Sequence, residues 1–173
     1  MSLSIRRFRP GDLDRVREIE TASFRDPWPR STFTHIHGKA PDLLLVAVLG
    51  GEVVGYTVGE LELSPDGIPH RFKRGHILNI AVDASHRREG VGAHLLGEIE
   101  DEFRERNATE VTLEVRESNI SARSLYKHMG YEETGRSEAY YHDEDAVIMS
   151  KALLSKRLKS SRRYRPYITG PYH

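Results

Sequence analysis

The chain of 173 residues contains no cysteine, and this absence excludes disulfide bonds and thiolate metal sites. Long apolar runs are also missing: the longest, Leu43 to Leu49, is far too short to cross a bilayer. The first residues lead into a polar segment without the apolar stretch that an export signal needs. From these absences we expect a protein that spans no membrane and stays in the cytoplasm.

Charge is balanced in total but unevenly distributed, with 26 Lys and Arg against 26 Asp and Glu. Residues 151–173 carry seven cations and no acid, so residues 1–150 hold 19 basic and 26 acidic side chains. Such a tail is compatible with a ribosome or nucleic-acid contact, although a solvated tail is the commoner reason for a charged segment. Length and composition predict one folded domain, 1–154, followed by a basic C-terminal tail, 155–173.

Hydrophobic periodicity predicts the element order βααβββαβαββ. The first helix is expected after Pro10-Gly11-Asp12, with Asp12 as its N-cap, and Gly50-Gly51 is typical of the tight turn of a β-hairpin. A mostly apolar strand, 75–82, is predicted to lie centrally, and a long amphipathic helix follows it and ends near Asn107. The pattern predicts a single mixed α/β domain, in which helices flank a mixed, mostly antiparallel sheet.

A glycine-containing loop, Arg87-Arg88-Glu89-Gly90-Val91-Gly92, stands between the central strand and the long helix. Unpaired amide N–H groups and the positive end of a helix favour a phosphate there, and the glycines let a pyrophosphate approach the backbone. The dinucleotide-binding pattern fails because Leu95 replaces its third glycine, and the Walker lysine is absent. Alone, this short pattern indicates ligand binding and a plain glycine-tolerant helix start about equally.

Several motifs in the same order as in the GCN5-related N-acetyltransferases (GNAT) make the chain resemble that superfamily. They are Ile80-Ala81-Val82, Arg87-x-x-Gly90-x-Gly92, Leu113-Glu114-Val115-Arg116-x-Ser118-Asn119 and Leu125-Tyr126-x-x-x-Gly130-Tyr131. Within the superfamily, the chain resembles the N-terminal (Nα) protein acetyltransferases of the ribosomal-protein alanine type and their archaeal relatives. The resemblance implies a GNAT-like domain and acetyl-CoA-dependent transfer of an acetyl group to the N-terminal α-amine of proteins or peptides.

The resemblance also implies where acetyl-CoA binds. Its pyrophosphate is expected on the backbone amides of the glycine-containing loop, and its pantetheine arm is expected to pair with the central strand like an extra strand. Asn119 is expected to contact the cofactor, and Tyr126 to lie near the thioester sulfur. The implied cofactor-binding residues are Ile80, Ala81, Val82, Arg87, Arg88, Glu89, Gly90, Val91, Gly92, Asn119 and Tyr126.

Acetyl transfer needs a neutral amine and a proton for the departing thiolate. Strand alternation alone allows Glu114 to be an ordinary solvated carboxylate, whereas the resemblance places a general base there. Tyr126 is either a core aromatic or, by the resemblance, the proton donor to sulfur. His76 is a candidate auxiliary base or a satisfied strand-end histidine. His76 and Glu114 are too few ligands for zinc, so we predict no metal.

Two loops are expected to bind the acceptor. Phe24, Asp26 and Trp28 interrupt the first helical region, and Tyr140 and Tyr141 stand at the tip of the last hairpin. The resemblance implies that both loops, together with Glu114, hold the peptide N-terminus. Trp28 has a second interpretation, as a hydrophobic plug between two short helices.

A fold does not fix the substrate of an enzyme, so two alternatives stay open. A lysine, polyamine or small-amine acetyltransferase is the enzymatic alternative. The non-enzymatic alternative is a binding module that contacts the ribosome or nucleic acid through the basic tail. We expect a monomer or weak dimer whose partners are protein or peptide N-termini.

Overall fold

A computed structural model of the protein describes residues 2–63 and 73–154, so the predicted basic tail lies outside the described residues. The strands and helices follow the predicted order βααβββαβαββ, which is confirmed. In chain order they are β1 (Leu3–Arg7), α1 (Leu13–Ser23), α2 (Arg30–Lys39), β2 (Leu44–Leu49), β3 (Glu52–Leu63), β4 (Lys73–Val82), α3 (Val91–Glu105), β5 (Glu110–Arg116), α4 (Ile120–His128), β6 (Glu132–Ser137) and β7 (Ala146–Ala152). Among the described helices, none has both the length and the apolarity that a bilayer span requires.

The strands form one seven-stranded sheet in the order β1-β2-β3-β4-β5-β7-β6, so β4 is central as predicted. Strands β4 and β5 run parallel, and the other neighbours are antiparallel. The hairpin of β2 and β3 turns at Gly50 and Gly51, whose φ angles of 60° and 86° cost glycine little. The predicted mixed, mostly antiparallel sheet flanked by helices is therefore confirmed.

Helices cover both faces of the sheet because successive residues of its strands point to opposite faces and both faces are apolar. On β2, Leu45 belongs to the cluster under α3, whereas Val46 belongs to the cluster under α1 and α2. On the face that α3 covers, the fully buried Phe103 packs closely against the sheet. A Cβ atom at Gly75 would lie 2.4 Å from the Phe103 ring, and one at Gly59 would lie 2.6 Å from it. The two glycines therefore make the room in which α3 packs against β3 and β4.

Strand β4 contains a bulge at the point where it leaves β5. Val58 pairs with Asn79 while the next residue, Gly59, pairs with Ile77, so Leu78 is the extra residue of β4. Pairing of β4 with β5 also stops at Ile77. Bulges bend a strand and end its pairing. The opening that results, called the strand gap below, is bordered by 78–82 of β4 and 114–116 of β5.

Candidate active site

Glu114 and His76 meet at the border of the strand gap. Parallel pairing places His76 opposite Thr112, so Glu114 lies two residues further along β5 on the same face. His76 Nε2 lies 2.6 Å from Glu114 Oε2, which is a hydrogen-bond distance. Only 14% of the His76 side chain and 19% of the Glu114 side chain are exposed. The structure therefore brings together the predicted base and the predicted auxiliary base.

The other nitrogen of the His76 ring faces two carboxylates. His76 Nδ1 lies 3.0 Å from Glu62 Oε1 and 3.5 Å from Glu60 Oε1. Burial lowers the pKa of His76, but the hydrogen bond and charge of Glu114, with the charges of Glu62 and Glu60, outweigh it and raise that pKa above its usual value of 6.5. The imidazolium form therefore persists to higher pH than in free histidine, and the neutral base form gains as pH rises.

Glu60, Glu62 and His76 are also side chains of metal-binding types, with ligand atoms that lie within 4.8 Å of one another. Two carboxylates that face a histidine ring also stabilise its protonated form, and this accounts for the cluster without a metal ion. The grouping alone assigns no metal, and the absence of a metal stays a prediction.

Tyr126 lies in the core between α4 and the sheet, with 6% of its surface exposed. Its ring centroid is 5.9 Å from that of Tyr131. Burial, and to a smaller extent the electrostatic interaction with Tyr141, raise the pKa of Tyr126 well above that of free tyrosine. The phenol therefore keeps its proton across the physiological range. The side chain is a core aromatic, and its proposed donation to sulfur stays a prediction.

The paired tyrosines of the last hairpin reach back to β5. Tyr141 donates a hydrogen bond from its hydroxyl to the Glu114 carbonyl oxygen at 3.4 Å, and the Arg116 guanidinium lies 4.3 Å from its ring centroid. Burial and the interaction with Tyr140 raise the pKa of Tyr141 to about 12. Tyr140 packs edge-on against Tyr141 and is 51% exposed. One tyrosine is thus anchored beside Glu114, and the other faces solvent.

An ion-pair chain joins the two loops that were predicted to bind the acceptor. Arg25 of the α1–α2 loop lies 2.5 Å from Asp143 in the loop between β6 and β7, and Arg116 of β5 lies 2.9 Å from the same carboxylate. Phe24 and Asp26 are exposed on the α1–α2 loop. The structure therefore places the two loops side by side at the end of β5.

Trp28 fits the plug interpretation. Its ring centroid lies 5.7 Å from that of Phe33, and the side chain joins the cluster under α1 and α2. Its backbone N–H donates to Glu20 Oε1 at 2.7 Å, and its carbonyl accepts from Arg17. A contact between Trp28 and the acceptor stays a prediction.

The loop 87–92 presents backbone donors at the start of α3. Gly90 caps the helix with φ 83°, and Arg88 also has a positive φ, 65°. Left-handed residues in a turn point successive N–H groups to one side, and the first N–H groups of a helix have no intrahelical acceptor. Arg87 donates through Nε to the Val82 carbonyl at 3.1 Å, which fixes the loop to the end of β4. This arrangement fits a diphosphate.

The remaining predicted cofactor residues border the strand gap or cap α4. In the described part of the chain, the backbone of Ile80 to Val82 has no strand partner on the β5 side. The Ile80 N–H is bonded to Asn79 Oδ1 and the Val82 carbonyl to Arg87, so the other groups of this edge are left for pairing with an amide-containing arm. Asn119 is the N-cap of α4 and accepts from the Ala122 N–H at 3.2 Å. Its contact with a cofactor stays a prediction.

Sequence reasoning missed Glu20, Glu60 and Glu62. Glu60 and Glu62 alternate on β3, and they face His76 only because of the β3–β4 register. Glu20 follows Val16 by four residues and therefore lies on the buried face of α1. A carboxylate at such a position is the one local signal that would have identified it.

Comparisons with known proteins agree with this geometry. The family model described as "Acetyltransferase (GNAT) family" matches residues 13–131. A protein of Methanocaldococcus jannaschii that is named an uncharacterized N-acetyltransferase is 38% identical over 149 residues, which cover 85% of this chain and 90% of that protein. An N-alpha-acetyltransferase of Sulfurisphaera tokodaii is 36% identical over 154 residues, 86% and 92% of the two chains. The crystal structure of Ard1 from Thermoplasma volcanium has a TM-score of 0.80 and 32% identity, and the match covers 90% of this chain and 100% of that one.

Proposed function

The chain belongs to the GNAT family of acetyltransferases, and we propose that it transfers the acetyl group of acetyl-CoA to the N-terminal α-amine of proteins or peptides. The observation that carries the proposal is the pairing of Glu114 with His76 at the strand gap, under Tyr141 and beside the free edge of β4. The names and structures of the relatives support the same activity.

Acetyl-CoA supplies the acetyl group as an activated thioester. The exposed N–H groups of 87–92 would hold its diphosphate, and the edge of β4 from Ile80 to Val82 would pair with the pantetheine amides. Asn119, at the start of α4, would contact the cofactor from the opposite side of the gap. Backbone groups therefore provide most of this binding.

The pair of Glu114 and His76 would take the proton that the attacking amine must lose. An α-amine has a reference pKa near 8, so part of it is already neutral at neutral pH and one moderate base suffices. Tyr126 would give its phenolic proton to the departing sulfur. One proton enters the pair and one leaves Tyr126, and exchange with solvent restores both groups.

The acceptor would lie between the α1–α2 loop and the last hairpin. We assign Phe24, Asp26 and Trp28 to one wall, and Tyr140 and Tyr141 to the other. Tyr140, which is half-exposed, would meet the acceptor backbone, whereas Tyr141 keeps the backbone of Glu114 in place. This geometry suits an extended peptide end.

Matched peptides test the activity. Peptides that share one sequence containing an internal lysine are offered with acetyl-CoA, either with a free N-terminus or with a blocked one, and thiol release is followed. We expect turnover with the free N-terminus and little with the blocked peptide. Equal rates on both would redirect the assignment to lysine side chains.

We also propose a location, an assembly state and a ribosome contact for this protein. We place the enzyme in the cytoplasm as a monomer or weak dimer, with the tail 155–173 next to the ribosome. Co-sedimentation of the full chain with ribosomes should weaken steeply with salt and disappear when the tail cations become glutamine. Unchanged sedimentation of that variant would remove the tail from the proposal.

A further inference from the structure

Glu20 is a carboxylate in the core of the domain, with 1% of its surface exposed. Three donors surround it. Oε1 accepts from the Trp28 backbone N–H at 2.7 Å, and Oε2 accepts from Asn79 Nδ2 at 3.1 Å and from the Tyr56 hydroxyl. A buried carboxylate needs such bonds because it has lost its hydration. The acetyl-transfer steps described above do not use this group.

The donors belong to different parts of the site. Trp28 lies on the α1–α2 loop, which is one wall of the acceptor slot. Asn79 stands directly after the β4 bulge, and its Oδ1 accepts from the Ile80 N–H at 3.1 Å, where the cofactor-facing edge begins. Glu20 therefore connects the acceptor loop to the central strand through one carboxylate.

A second side chain of α1 completes this anchor. Arg17 precedes Glu20 by three residues and so lies on nearly the same side of the helix. It donates to the Trp28 carbonyl oxygen, so α1 holds both the N–H and the C=O of this residue. Pro27 and Pro29 flank Trp28 and have no N–H of their own to hold the loop.

We propose that Glu20 is a positioning residue for the acceptor: it fixes the α1–α2 loop against the β4 bulge and thereby sets the width of the acceptor slot. The inference rests on the proposed acetyl transfer. Glu20 is buried below the slot, and the loop 87–92 is attached to Val82, three residues beyond Asn79 on β4. Asn79 stays paired with Val58 in the sheet when Glu20 is lost, whereas the Trp28 N–H loses its acceptor. Loss of the anchor therefore weakens acceptor binding and leaves acetyl-CoA binding in place.

Two substitutions of similar size separate positioning from simple core packing. Glu20→Met fills the same space and removes every acceptor. Glu20→Gln keeps an oxygen for Trp28 and turns its amide toward the Tyr56 hydroxyl, which can accept. It loses the bond from Asn79 Nδ2, because an amide N–H cannot accept from another. We expect acceptor KM to rise at least about tenfold in Glu20→Met, and to stay within about threefold of wild type in Glu20→Gln. Acetyl-CoA Kd should stay within about threefold in both.

Other partners of the anchor provide controls. Tyr56→Phe removes a donor to Oε2 but leaves the Trp28 bond, so acceptor KM should change by less than about twofold. If Glu20→Met does not fold, Arg17→Met carries the test, because Arg17 is only partly buried. Its acceptor KM should rise at least about threefold with kcat and acetyl-CoA Kd retained.

Kinetics with the matched free-end peptide and direct titration of acetyl-CoA decide the outcome. An unchanged acceptor KM in folded Glu20→Met, or in Arg17→Met where Glu20→Met does not fold, would overturn the proposal. A parallel loss of acetyl-CoA affinity would also overturn the proposal, because it would show that Glu20 supports the whole sheet and not the acceptor loop alone. If the wild-type chain acetylates no peptide end, the proposed function fails instead, and the two failures are thus distinguishable.

Discussion

Replacing Glu114 by glutamine removes the proposed base and changes little else. Gln has nearly the same size, and it can still hydrogen-bond to His76 Nε2 across the 2.6 Å contact. General bases contribute about 10²–10⁴-fold to a rate. We expect the lower part of this range, because His76 remains and an α-amine is partly neutral at neutral pH. A loss of about 10²–10³ in kcat corresponds to about 2.7–4.1 kcal/mol of transition-state stabilisation.

The pH dependence of turnover should also shift in a defined direction. In the wild type, Glu114 raises the pKa of His76, so the acidic limb of turnover extends above 6.5. Without the carboxylate charge, that pKa falls, and the limb moves to lower pH. Turnover of Glu114→Gln should also recover partly at alkaline pH, where more of the acceptor amine is neutral.

The assay is thiol release at saturating acetyl-CoA, with turnover checked by mass spectrometry of the acceptor. Glu110→Gln is the matched control, since Glu110 lies on the same strand and face and pairs with Arg74. Its kcat should stay within about twofold of wild type, as for other partly exposed ion pairs. Wild-type rates in Glu114→Gln from neutral to alkaline pH would show that Glu114 is a structural strand residue and not the base.

Three further substitutions address the thiol, the cofactor loop and the acceptor loops. Tyr126→Phe keeps the ring packing and should lower kcat by about tenfold or less, since a thiolate leaves acceptably unprotonated; an effect as large as that of Glu114→Gln would contradict this role. Gly90→Val strains a φ of 83° and blocks the approach of the diphosphate to the backbone. The Kd of acetyl-CoA, measured by calorimetry, should therefore rise at least about tenfold, while kcat at saturating acetyl-CoA is retained. An unchanged affinity would show that the diphosphate binds elsewhere. Arg25→Gln removes the ion pair with Asp143, so the acceptor KM should rise a few-fold. The free energy of unfolding, measured by denaturant titration, should change by less than about 1 kcal/mol. A normal acceptor KM would show that the ion pair does not shape the slot.

Gly92 would be a poorer probe of the cofactor loop than Gly90. A Cβ atom at Gly92 would lie 3.0 Å from the Leu125 side chain, so a larger residue there would also disturb the packing of α3 against α4. An affinity change in such a variant would mix cofactor contact with helix displacement.

Local patterns predicted the elements well because each pattern is complete within a few residues. The stripe of α3, the glycine turn at 50–51 and the Asn119 cap can all be recognised without knowing any distant partner. The last hairpin shows the limit. Its first strand ends at Ser137, three residues before Tyr140, because Ala139 and His142 adopt positive φ angles that begin the turn.

Pairwise geometry was beyond sequence reasoning. The bulge at Leu78 and the β3–β4 register place Glu60 and Glu62 beside His76, and no local signal encodes either of them. For Glu20, the burial follows from the helix pattern, but its donors do not, because they come from 8, 36 and 59 residues away along the chain. Glu114 and His76 were predicted from the sequence, whereas the hydrogen bond between them and the two carboxylates beside His76 required the structure.

The most direct test of the proposed activity uses one peptide that carries both a free α-amine and an internal lysine. After incubation with the full chain and isotopically labelled acetyl-CoA, fragment masses show which nitrogen carries the label. The account predicts label on the α-amine, at a rate that falls about 10²–10³-fold in Glu114→Gln. Label confined to the lysine side chain would contradict it.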